Sequence, residues 1–231
     1  MSSHAGVGRP DRGARLARLN ADRELLAREH PYLQYRLDER RLVGLAHGAV
    51  PLLLPDGQVH PIKITVDFHP GYPPGPPTVY DADRRWIPDD DRHIPQNHSF
   101  CLYLQDVDEP DLGRPAALHV FMLDVICFLE QQLIYDRIGR FPGPQWPHKR
   151  DAYALYIVEE LEREPPAARL PLWNAIRGTQ PARNGLCACG SGTKYKRCHL
   201  DLINELARIA TRHDLRRFDY AALRAFADVA A

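Results

Sequence analysis

Two groups of residues in this 231-residue chain have the types and spacing to do chemistry. Cys187, Cys189, Cys198 and His199, in the segment NGLCACGSGTKYKRCHL, supply three thiols and an imidazole. Once the thiols are ionised, they form a closed tetrahedral donor set that suits structural zinc and leaves no coordination position for a reactant. Gly190 and Gly192 let the backbone turn tightly around an ion, and Lys194, Lys196 and Arg197 offset the charge of three thiolates. Cys101 stands apart, in HIPQNHSFCLYL, between a His/Asn-rich loop and a short apolar run. By type alone it is a small buried hydrophobe, a metal ligand or a nucleophile. The ligand set at 187–199 is complete without it, which leaves packing or nucleophilic chemistry.

The elements that must position these groups read as follows. In GARLARLNADRELLARE, residues 13–29, leucines 16, 19, 25 and 26 fall on one helical stripe among charges. His30 and Pro31 end that helix. YLQYRLDERRLVGLAHGAVPLLLP is strand-forming, DGQ at 56–58 is a turn, and Ile62, Ile64, Val66 and Phe68 then alternate with Lys63, Thr65 and Asp67. An antiparallel meander with one buried face is expected. Prolines 70, 73, 74, 76, 77, 88 and 95 exclude helix from most of 70–100 and predict an ordered loop with a short strand near PTVYD. Two apolar helices, RPAALHVFMLDVICFLEQQLI and RDAYALYIVEELERE, follow, joined by a Gly/Pro connector. Cys127, inside the first of them, reads as core.

The sequence predicts a flexible tail over 1–12, a main domain over 13–163, a connector over 164–184 and a zinc module with C-terminal helices over 185–231. The connector carries one apolar knot, Leu170, Leu172, Trp173 and Ile176, expected to pack back on the main domain because an exposed knot would invite association. Thirty basic and 30 acidic residues cancel, so bulk charge recommends neither a nucleic acid nor an anionic membrane as partner. No apolar run is expected to approach a membrane span, the polar start has no signal-peptide core, and the clustered cysteines suit a reducing cytoplasm.

At FHPGYPPGPPTVY the pattern stops being generic. Tyr72, Pro73, Pro74, Gly75, Pro76 and Pro77 resemble the Tyr-Pro-x-x-Pro-Pro turn of the ubiquitin-conjugating enzyme family, which follows the third strand. In register with it, Cys101-Leu102 occupies the place of the family's thioester cysteine, and GRPAALHVFMLDVICFLEQQL resembles the Ser-Pro-Ala-Leu helix after it. The resemblance covers about 13–138 and implies an α+β ubiquitin-conjugating fold: N-terminal helix, antiparallel meander, C-terminal helices. In place of the family's His-Pro-Asn the loop reads His93, Ile94, Pro95, Gln96, Asn97, and the Trp before the helix is replaced by DVDEPDLGR. These departures resemble the divergent bacterial relatives.

The resemblance implies that Cys101 carries a ubiquitin-like protein as a thioester and passes it to an amine or other acceptor. His93 by position, or Asn97 by side-chain chemistry, would donate to the oxyanion, a contribution of about 3 kcal/mol from a well-placed donor. Asp106, Asp108 or Asp111 would orient the amine or take its proton. Implied partners are an activating enzyme, the ubiquitin-like protein and a deubiquitinase-like metalloprotease, as in antiphage-defence operons. The alternative is a non-catalytic binding module of the same fold that recruits through its zinc unit. A thiol hydrolase has no assignable His and Asp.

The segment Cys-Ala-Cys-Gly-Ser-Gly-Thr-Lys-Tyr-Lys-Arg-Cys-His resembles the SEC-C zinc-binding motif known from the C-terminus of SecA. It implies a structural zinc and a docking role. A unit this small buries too little apolar surface to fold alone, so stripping the metal is expected to melt it.

Overall fold

The computed structural model describes residues 11–55, 57–73, 75–114, 117–143 and 146–230. Most of the expected tail, Asp56 of the DGQ turn, Pro74 of the Tyr-Pro turn, and Pro115 and Ala116 ahead of the apolar helix lie outside them. The fold is α+β, and the chain divides into two compact units, 1–144 and 145–231.

The first unit starts with α1, Arg12–Glu29, so the helix begins inside the expected tail. It buries Leu19, Asp22 and Leu26, which share one face. It stops at His30, because Pro31 has no amide to continue the ladder and disfavours helical backbone before it. Four antiparallel strands follow in sequence order: β1 (Leu33–Asp38), β2 (Val43–Leu53), β3 (Val59–Phe68) and β4 (Thr78–Asp81). The register runs unbroken from Leu33 opposite Gly48 and from Gly44 opposite Phe68. Ile62, Ile64, Val66 and Phe68 are buried, as their alternation predicts. Gly48 (φ 153°) is obligatory, since a Cβ there would stand 1.9 Å from the carbonyl oxygen of Tyr32, the residue just before β1.

The long apolar helix is α2, Ala117–Ile138. Leu118, Phe121, Val125, Leu129 and Leu133 on its inner face join Leu26, Ala46, Ile64 and Val66 in one core. Two expectations need correction here. The helix is long and apolar enough, by length and composition alone, to cross a membrane, although its inner face is used by this core. Cys127 is exposed, not buried, on an outer face where Val120, Leu123, Ile134 and Ile138 are exposed too. A helix apolar on both sides hides from the sequence which side is the core.

A buried polar network fastens the Tyr-Pro turn to α1. Tyr72, fully buried, donates from Oη to Asp22 Oδ2 (2.6 Å) and accepts from Arg18 Nη2 (2.9 Å). Arg18 Nε also donates to Asp22 Oδ1 (2.9 Å), and its Nη1 reaches the carbonyl of Leu112 (2.6 Å). Burial pushes the Asp22 carboxyl up, against the opposing pull of Tyr72 and Arg18. The Tyr72–Pro73 peptide is cis, and Tyr72 packs edge-on against Phe68 at 5.0 Å.

The second unit holds α3 (Arg150–Glu162), α4 (Pro166–Arg177), α5 (Leu200–Arg212) and α6 (Tyr220–Ala230). Thus α3, expected in the main domain, falls in this unit. The stretch read as a connector is largely α4, which starts on a proline at N1, where the missing amide costs nothing. Of its apolar knot, Leu170 is exposed. Leu172, Trp173 and Ile176 are buried, with α4 against α5 and Trp173 Nε1 donating to the carbonyl of Phe218 (3.2 Å).

Candidate functional site

In the first unit, Cys101 follows Phe100, which is buried and tied by its amide to the carbonyl of Val79 on β4 (2.8 Å). The next amide, that of Cys101, donates to the carbonyl of His93 (2.9 Å). The sheet edge and the preceding loop therefore fix the cysteine backbone from both sides, while the residue as a whole keeps surface open to solvent.

The loop that supplies His93 is clamped to α2. Gln132, fully buried, donates from Nε2 to the carbonyl of Arg92 (2.6 Å), and the Arg92 guanidinium pairs with Asp136 (2.8 Å). Trp86 Nε1 donates to the other Asp136 oxygen (3.1 Å). His93 itself takes left-handed backbone (φ 54°) after the short 3-10 helix Asp90–Arg92, and its ring meets Phe141 edge-on at 5.4 Å.

The remaining expected residues divide by use. Asn97 Oδ1 accepts from both the amide and the hydroxyl of Ser99 (3.2 and 2.9 Å), so that oxygen orders the loop. The Asp108 carboxylate accepts from the amide of Leu104, closing a turn, and Asp111 does the same for Gly113 (2.9 Å). Asp106 occupies left-handed backbone (φ 66°). Asp108 also lines a pocket of about 230 Å³ with Leu102, Tyr103, Pro110, Phe121 and Asp124. Asp106 and Asp111 do not line it.

One charge outside the expected set acts on the thiol. Protein packed around Cys101 removes solvation from its thiolate and, with the negative charge of Asp90, pushes the thiol above its usual range. The expected acidic residues all came after the cysteine, whereas the one that acts on it comes eleven positions before.

In the second unit, Cys187, Cys189, Cys198 and His199 converge so that their donor atoms lie within 4.8 Å of one another. Backbone hydrogen bonds build the convergence. The amide of Cys187 donates to the carbonyl of Thr193 (2.9 Å), and Tyr195 to that of Gly185 (2.8 Å). Gly190 and Gly192 make the intervening turn in left-handed backbone (φ 79° and 73°). Tyr195, buried beneath, accounts for the short 3-10 helix Tyr195–Arg197 that brings Cys198 back. His199 then caps α5.

The donor set fits a metal. A tetrahedron with metal–sulfur bonds of about 2.3 Å has sulfur–sulfur edges near about 3.8 Å; Cys189 and Cys198 Sγ are 3.6 Å apart. His199 Nδ1 lies 3.3 Å from Cys187 Sγ and 3.1 Å from Cys198 Sγ, so this nitrogen faces the thiols. Residues 183–201 match the SEC-C motif. The chain is 75% identical over 24 residues to a protein translocase subunit SecA of Frankia casuarinae, covering 10% of this chain and 2% of that protein. It is 44% identical over 48 residues to the SecA of Pelodictyon phaeoclathratiforme, covering 21% and 5%. The chain thus spans at most about a twentieth of the curated relatives it matches. No solved structure matches the chain.

Proposed function

We propose that the chain is a ubiquitin-conjugating-enzyme-like carrier, which holds a ubiquitin-like protein as a thioester on Cys101 in the cytoplasm. The observation that carries this reading is the exposed Cys101, held by its amide to His93. It sits between a helix-plus-meander with a buried Tyr-Pro turn and a long helix, the order of elements in that family.

The reaction consists of two acyl transfers. Cys101 Sγ, as thiolate, attacks the modifier's C-terminal carbonyl carbon on the activating enzyme, whose thiolate leaves. An acceptor amine then attacks the same carbon, the carbon–sulfur bond breaks, and Cys101 regains its thiolate. The amine loses its proton to a nearby carboxylate, for which the pocket position of Asp108 favours that residue. With its oxygen held by Ser99, Asn97 has its amide nitrogen to offer the oxyanion, and His93 has its ring. A raised thiol pKa suits a carrier, because a thiol of higher pKa is a slower leaving group and its thioester waits longer for an acceptor.

The SEC-C segment, in this reading, holds a structural zinc on Cys187, Cys189, Cys198 and His199, with no position open for reactants. A metalloprotease that removes the modifier fits beside such a carrier. The competing reading, a binding module without transfer, is separated by reconstitution with an activating enzyme, ATP and a ubiquitin-like protein. A reductant-sensitive adduct that is absent from Cys101→Ala supports the carrier; binding without any adduct supports the module.

A further inference from the structure

The ring of His199 is held from both sides. Its Nδ1 faces the sulfurs of Cys187 and Cys198, while its Nε2 lies 3.1 Å from Glu164 Oε1. Glu164 lies outside the SEC-C segment, just past the end of α3 and before α4. The backbone there is itself pinned, since Arg169 Nε donates to the Glu164 carbonyl (3.0 Å) and its Nη2 to that of Glu162 (2.9 Å).

An imidazole can present either nitrogen to a metal, and the partner of the other nitrogen decides which. A carboxylate fixed at Nε2 keeps the proton there, turns Nδ1 toward the thiolates and makes it a more basic ligand. We infer that Glu164 is a positioning residue of the metal centre: it selects Nδ1 of His199 as the ligand atom and ties the metal to the corner between α3 and α4. This rests on the reading of the Cys/His cluster as a metal site. The side chains fit the role without rearrangement: the His199 side chain is only 13% exposed and that of Glu164 26%.

The test uses the full chain, with cobalt as an optical probe and zinc for NMR. The wild type takes up one cobalt with thiolate charge-transfer bands, and Glu164→Ala lowers its affinity roughly 10- to 100-fold, the usual cost of losing such a partner. Glu164→Gln keeps an oxygen that accepts from Nε2–H, so it restores most of the affinity. In the zinc-loaded wild type, nitrogen NMR shows Nδ1 bound to the metal and a protected Nε2–H, a readout that needs no variant to fold. Equal cobalt affinity in wild type and Glu164→Ala, no rescue by Glu164→Gln, or metal on Nε2 overturns the inference. A wild type that binds no metal overturns the metal site itself.

Discussion

The amide of Cys101 donates to the carbonyl of His93 at 2.9 Å, and this bond joins the proposed nucleophile to a loop clamped on α2 by Gln132 and Asp136. What surrounds the cysteine is therefore built and can be perturbed residue by residue.

The thiol of Cys101 titrates above the usual range because packed protein desolvates its thiolate and Asp90 repels it. Its alkylation by iodoacetamide, followed on the peptide that contains residue 101, should keep rising with pH beyond the midpoint of a free cysteine. The sign for Asp90→Asn is opposite: removing a like charge favours the thiolate, lowers the pKa and speeds alkylation at any pH below the midpoint. An unchanged profile in Asp90→Asn would remove Asp90 from the account.

Cutting the Tyr72 network should loosen the first unit. Tyr72→Phe withdraws one donor from a buried carboxylate and should cost about 1–3 kcal/mol in denaturant unfolding. Asp22→Ala leaves the Arg18 guanidinium, only 9% exposed, without its carboxylate, and should cost about 3–5 kcal/mol. Removing both charges together, as Arg18→Leu with Asp22→Ala, should recover part of that loss.

Much of the fold was legible because it is written in local patterns. The alternation through Ile62, Ile64, Val66 and Phe68, the stripe through Leu19 and Leu26, and the Cys/His cluster from Cys187 to His199 each declare themselves within one short stretch. What escaped was set by distance along the chain or by facing. Nothing in the sequence pairs Arg18 with Tyr72, Asp90 with Cys101, or Glu164 with His199; those contacts exist only once the elements have packed. The exposure of Cys127 is hidden for the second reason, since apolar residues lie on both faces of α2.

The same distinction changes the expectation for metal removal. The sequence predicts that the SEC-C segment melts as an isolated module, yet α5 begins directly after His199 and packs on α3 and α4. Chelation should raise hydrogen exchange over residues 183–199 and near Glu164 while leaving the buried turns of α3 and α4 protected, as mass spectrometry would show. Uniform loss of protection through α3–α6 would instead make the metal the foundation of the whole unit.

In the sheet, a Cβ on Gly44 would stand 1.9 Å from the hydroxyl of Tyr35, so Gly44→Ala should lower stability by about 1–3 kcal/mol. That hydroxyl is buried with no hydrogen-bond partner among the described residues. Tyr35→Phe should therefore be neutral or stabilising in thermal unfolding.

The central claim is that residue 101 carries the acyl group, and a serine in its place tests this most directly. With an activating enzyme, ATP and a ubiquitin-like protein, Cys101→Ser should accumulate an adduct that survives thiol reductants, yields to hydroxide and maps by peptide mass spectrometry to residue 101. The wild-type adduct should be reversed by reductant. An adduct that maps to another residue, or that persists in Cys101→Ala, would contradict the account.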